Sequence, residues 1–232
     1  MTLGELIAAF RADADDRADG LIGVAEADKP YLWRDADVRR WFNEAVDEAC
    51  IRRRLIHDSG IRVSVKAGNS VYELPGNVYE ISHISFRKAG ASTRENIRLV
   101  SYESMARMRP DWREGAVHTN SWIDYAIQTD RYIRLVDAPN SPGTLYIEGY
   151  RTPLEPMKAD ADEPELHSMH HRRLVDWVNY RAFSVPDSEV VSAGRAAAGL
   201  AFFTAYFGER PDADMRRNSR HDTPQVNQPF MV

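Results

Sequence analysis

The chain has 232 residues, 43% of them hydrophobic and 28% charged, with a formal net charge of −5. That length accommodates one large domain or two small ones, with a core that needs no disulfide or metal staple. The acidic balance argues against a general grip on nucleic acid, and the lone Cys50 leaves no partner for an intrachain disulfide.

Thr2 and Glu5 have the spacing of a capping box, and Leu3, Leu6, Ile7 and Phe10 follow on one helical face, predicting a short helix to about Asp19. Gly20 to Pro30 reads as a loop. Asp35 is placed to cap a second helix, with Val38, Trp41, Phe42, Ala45, Val46, Ala49 and Ile56 as its apolar stripe and Gly60 as its end. Arg52, Arg53 and Arg54 form a basic cluster on that helix. No aromatic platform interrupts them, so a solvated or salt-bridged face is the expectation.

At Ile61 the period changes. Ile61, Val63 and Val65 alternate with Arg62, Ser64 and Lys66, and Ala67 to Ser70 turns the chain into Val71–Pro75. Further strands are predicted over 78–86, 122–127, 132–136 and 144–150, with a short helical signal over 101–112 stopped near Pro110. Five or six short strands at this spacing make a small antiparallel sheet or a sandwich. Trp33, Trp41, Trp112, Trp122 and Trp177 read as core anchors.

Residues 151–165 hold three prolines and five acidic groups and make a connector. Pro164 suits a first helical position, and a third helix is predicted to about Phe183, with Leu166, Met169, Leu174, Trp177, Val178 and Arg181 along one side. Pro186 breaks it, Asp187 caps the next, and the final helix ends at Gly208. Ala193, Gly194 and Ala196 to Gly199 carry so little bulk that another backbone could come close, and Phe202, Phe203, Tyr206 and Phe207 make an aromatic end. The expected fold class is therefore α+β. A helical bundle forms from segments 1–60 and 151–208, a β-domain is inserted at 61–150, and an extended arm follows at 209–232. Pro211, Pro224 and Pro229 leave that arm without a regular period.

Chemistry-bearing patterns are sparse. His167, His170 and His171 share a helix face and are the best metal candidates, with Glu163 or Glu165 as an added carboxylate, although no glutamate stands between them at the spacing a zincin needs. No nucleophile elbow, phosphate-cradling loop, paired-cysteine site or dinucleotide fingerprint is present in the sequence. No catalytic residue, cofactor or bound metal is expected. The competing reading is a small metal-dependent hydrolase or nuclease built on the histidine cluster. Met1 to Phe10 lacks a basic start and an apolar core of signal-peptide length, and no stretch reaches the ~20 apolar residues of a membrane span. Production in a cytoplasm without membrane contact is the expectation.

The order of these features resembles the adaptor, or head-to-tail connector, proteins of tailed and especially short-tailed bacteriophages. The resemblance rests on Thr2-Leu3-Gly4-Glu5-Leu6-Ile7, and on Trp41-Phe42-Asn43-Glu44-Ala45 leading to Arg52-Arg53-Arg54. It continues through Val63-Ser64-Val65 with Tyr72-Glu73-Leu74-Pro75, and through Ile133-Arg134-Leu135 with Leu145 to Pro153. Leu174-Val175-Asp176-Trp177 and Phe202-Phe203 complete it. It implies a structural virion protein at the head-tail junction, assembled in the host cytoplasm as a homo-oligomeric ring, usually twelve-fold. Such a ring would dock on the portal protein, meet the tail nozzle or tail tube, and let double-stranded DNA pass without sequence recognition. Beside that resemblance, small-residue and aromatic packing assigns ring self-association to Ala197, Gly199, Phe202 and Phe203. The arm offers Arg216, Arg217 and Arg220 as forked donors and Phe230, Met231 and Val232 as an apolar tip for the portal.

Overall fold

The computed structural model describes residues 1–16, 31–113, 119–120, 122–184 and 192–211. Two compact units are present: a helical one from Met1–Ile56 with Arg151–Arg210, and a β-rich one containing His57–Tyr150. The chain is α+β, with helices and a mostly antiparallel sheet.

In the helical unit, α1 (Leu3–Ala14) opens with the capping box formed in both directions: the Thr2 hydroxyl accepts from the Glu5 amide, and the Glu5 carboxylate accepts from the Thr2 amide. Leu3 and Gly4 donate their amides to the carbonyls of Asp162 and Asp160, so the acidic connector covers the start of this helix. The helix stops at Ala14, short of Asp19, because Asp15 turns left-handed at φ 59°. The buried Arg11 then gathers Asp16, Asp35 and the Trp33 carbonyl around one guanidinium, which ties the end of this helix to residues 33–35. The loop expected over 20–30 lies outside the described residues.

Helix α2 (Asp35–Arg53) corrects two expectations. Arg34, not Asp35, holds the N-cap position and makes no side-chain cap, since the Asp35 carboxylate is taken by Arg11. The helix ends at Arg54, left-handed at φ 53°, rather than at Gly60, and Ile56 lies beyond it. Residues Val38, Trp41, Phe42, Ala45, Val46, Ala49 and Cys50 are buried on its inner face. After the connector, a 3-10 turn (Ser168–Arg173) precedes α4 (Leu174–Phe183), so no α-helix begins at Pro164. Arg151 and the Leu154 amide hold the Glu165 carboxylate, and the chain bends there, with the Leu166 amide donating to the Pro164 carbonyl instead of starting a helix. In the tighter turn Met169 points outward and is 64% exposed instead of joining the apolar side.

Helix α5 (Ala193–Phe207) is capped by Ser192, whose hydroxyl accepts from the Arg195 amide, and it ends at Gly208 with φ 90°. Pro186 and Asp187 lie outside the described residues. Leu3, Leu6, Phe10, Phe42, Leu174, Val178, Phe183, Phe203 and Phe207 form one apolar core, and Trp33 packs edge-on between Phe10 and Phe183.

The β-rich unit contains β1 (His57–Val65), β2 (Val71–Glu73), β3 (Val78–Lys88), β4 (Glu95–Leu99), α3 (Tyr102–Met108), β5 (Thr119–Asn120), β6 (Tyr125–Gln128), β7 (Tyr132–Leu135), β8 (Ala138–Pro139) and β9 (Gly143–Arg151). Seven strands form a sheet in the order β1-β9-β3-β4-β6-β7-β2, with β4 and β6 parallel, and β5 pairs with β8 apart from it. Strand β1 runs antiparallel to β9, placing Arg62 opposite Tyr146 and Val63 opposite Leu145, after a register shift between Asp58 and Ile61. The sheet core joins Ile61, Val65, Ile81, Ile84, Phe86, Ile97, Leu145 and Ile147. Trp112 is buried with Val100, Met105 and Ile127, but Trp122 is 60% exposed because it precedes β6 rather than lying within it.

Candidate functional site

Helix α5 has two unlike faces. Ala196, Gly199, Phe203 and Phe207 recur at three- and four-residue spacing and point inward. A Cβ on Gly199 would stand 2.7 Å from the Asp176 carbonyl oxygen and 2.9 Å from the Tyr180 amide nitrogen, both main-chain atoms of α4. At this residue the close helix approach is made inside the chain. Phe203 is likewise internal, with ring centroids 4.6 Å from Phe207 and 5.1 Å from Trp177. Ala197 and Phe202 lie on the other face, and the Phe202 ring is 60% exposed. Of the four residues grouped for self-association, two serve the fold and two remain at the surface.

The end of this helix is clamped by α2. Arg52 pairs with Glu48 at 3.1 Å and donates to the Thr204 hydroxyl at 3.0 Å and the Gly208 carbonyl at 3.2 Å. Arg53 donates to the Tyr206 carbonyl at 2.8 Å. Two guanidiniums at a helix C-terminus meet orphan carbonyls and the negative end of the helix dipole. The basic cluster seen in the sequence is thus partly a helix cap, which residue spacing alone does not reveal.

The three histidines are used separately. His167 precedes the 3-10 turn and its ring accepts from the Met169 amide. His170 is buried against Tyr206, with Nδ1 3.2 Å from the phenol oxygen. Burial, then the nearby Arg53 and the other two histidines, hold its pKa below the usual 6.5. His171 is buried too, with Nε2 2.9 Å from the Leu166 carbonyl oxygen and Nδ1 2.9 Å from the Met1 nitrogen, so both ring nitrogens are engaged. Among the described residues no group of three His, Cys, Asp or Glu side chains gathers as a metal site.

A cavity of about 290 Å³ opens between α2 and the connector, lined by Asn43, Asp47, Pro153, Glu155, Pro156 and Glu163 among others. Asn43 holds its wall, accepting from the Met157 amide at 2.8 Å and donating to the Met157 carbonyl at 3.0 Å. Burial, reinforced by Glu48 and Glu44, pushes the Asp47 carboxyl upward. Sequence reading marked the connector as acidic but could not place Asp47, 100 or more residues away in the chain, beside it. Arg216, Arg217, Arg220, Phe230, Met231 and Val232 lie outside the described residues.

The helical unit and the β-rich unit define an α+β protein in which many of the described polar side chains serve as caps, clamps and ion pairs. Residues 1–227 match the family described as SU10 adaptor protein, and the chain belongs to that family of phage head-to-tail adaptors. It is accordingly a virion component of the head-tail junction. A search of curated proteins found no match. No helix among the described residues is long and apolar enough to cross a membrane.

Proposed function

We propose that this protein assembles as a ring, twelve-fold by its resemblance to connectors, between the portal protein and the tail nozzle or tail tube. The ring forms part of the path for double-stranded DNA and contacts that DNA without reading its sequence. The observation carrying this reading is the family match over residues 1–227. A chain with a net charge of −5 suits a channel wall, because a surface that repels phosphate does not stall a moving genome. Self-association uses the exposed α5 face at Ala197 and Phe202. The arm from residue 209 onward binds the portal through Arg216, Arg217 and Arg220 and an apolar tip of Phe230, Met231 and Val232. The chain performs no catalysis. Native mass measurement and electron microscopy of the purified protein, with and without its portal protein, test the ring. Assembly in either condition supports it, and a monomer in both refutes it. Deletion of residues 211–232 tests the arm: portal attachment should weaken while the body stays folded, and unchanged attachment refutes its role.

A further inference from the structure

Three arginines of the β-rich unit converge on one ring. The guanidinium carbons of Arg62, Arg87 and Arg94 lie 4.4, 4.9 and 3.8 Å from the centroid of Tyr146. Arg62 stands directly opposite Tyr146 in the β1–β9 ladder, Arg87 comes from β3 on the other side of β9, and Arg94 precedes β4. All three are exposed, yet among the described residues none is within ion-pair distance of a carboxylate. Among the described residues, Arg62 donates to the Ser59 and Ile61 carbonyls. The nearby Glu95 faces Lys88 at 4.0 Å, and Glu148, two residues along β9, pairs with none of them. Three like charges held around one ring repel one another, and the attraction of the ring face offsets this only in part. The cluster is therefore short of anions.

Nucleic acid is the poorer candidate for supplying them. Tyr146 is 8% exposed beneath the guanidiniums, so its face cannot stack on a base. Residues 57–150 also contain equal numbers of acidic and basic side chains, which gives a long phosphate polymer no extended field to follow. Discrete carboxylates fit better, and the same chain carries an unmatched set. In the helical unit's cavity, Asp47, Glu155 and Glu163 form no ion pair among the described residues, while Glu165 is taken by Arg151 at 3.0 Å. Burial, then the neighbouring Glu48 and Glu44, push the Asp47 carboxyl up, so a cation brought into the cavity would favour its ionised form.

We propose that the Arg62, Arg87 and Arg94 cluster of one copy docks into the acidic, proline-walled cavity of a second copy. Bidentate guanidinium–carboxylate pairs form the contact. Unlike surfaces meeting in this way make a heterologous interface, the type that closes rings. The inference rests on the ring reading and adds the residues of its charged contact.

Two charge-reversal variants test it. One carries Arg62→Glu with Arg94→Glu, and the other Glu155→Lys with Glu163→Lys. All four sites are exposed, and unchanged melting curves confirm the fold. Native mass spectrometry should show each variant associating at least tenfold more weakly than wild type, with assembly restored in an equimolar mixture. Assembly equal to wild type in both variants overturns this contact and leaves the ring standing. So does loss of assembly that mixing fails to restore. A double-stranded DNA affinity lost only in the arginine variant, with assembly unchanged, assigns the cluster to nucleic acid and also overturns it. A wild-type protein that stays monomeric, alone and with its portal, removes the ring reading and this inference with it.

Discussion

Gly199 offers the sharpest test of the helical packing. A methyl group there meets the Asp176 carbonyl oxygen at 2.7 Å, the Tyr180 amide at 2.9 Å and the Asn179 Cβ at 3.4 Å. The two shortest contacts are to backbone of a packed helix, so α4 and α5 must move apart for it to fit. Overpacking of this kind costs about 1–3 kcal/mol. Replacing a helical glycine by alanine returns up to ~1 kcal/mol in propensity. Gly199→Ala should therefore destabilise by about 1–2 kcal/mol, and Gly199→Leu by more. Ala197→Leu, two residues away on the exposed face, should stay within about 0.5 kcal/mol of wild type. Thermal denaturation followed by far-UV circular dichroism reads all three. A Gly199→Ala protein that melts at or above wild type would show that propensity wins and that the two helices do not approach as closely as described.

Other outcomes follow from single sites. Phe203→Ala empties a fully buried position and should cost about 3–5 kcal/mol in denaturant titration. Thr2→Ala breaks the capping box of α1 and should cost about 1 kcal/mol. His170 is held below its ordinary 6.5 when folded, so the unfolded chain takes up its proton first as pH falls. Its share of stability is present above about pH 6.5 and is lost as pH drops toward the folded value, and His170→Gln should flatten the melting-temperature slope over that interval. Cys50 is fully buried and its thiol is pushed up to about 12, so a thiol reagent at mildly alkaline pH should label it only after unfolding. Rapid stoichiometric labelling of the native protein would contradict that burial.

Much of this architecture is written in local signals. The capping box at Thr2 and Glu5, the alternation from Ile61 to Val65 and the stop at Gly208 are each decided by a few adjacent residues, and each appears in the structure. Boundaries set by distant partners were not legible. Asp35 fails as a cap because Arg11, 24 residues earlier, takes its carboxylate. The stretch after Pro164 stays non-helical because Glu165 is held by Arg151. Strand β4 was missed, since Ile97 and Leu99 alone mark its apolar side between charged and polar neighbours. In α5 the small residues were visible, but their division was not. Gly199 shares a face with Ala196, Phe203 and Phe207 and packs inward, while Ala197 and Phe202 face out. The helical spacing of 196, 199, 203 and 207 was the signal that could have separated them. The cavity at Asp47 and the cluster on Tyr146 depend on tertiary proximity, which residue spacing does not encode.

The measurement that bears most directly on the central claim is native mass spectrometry of the purified protein mixed with its portal protein. The adaptor account predicts a complex carrying many copies of this chain on one portal ring, with no accompanying turnover of nucleic acid or peptide substrates. A chain that remains monomeric and unbound at concentrations well above those of the portal would contradict it.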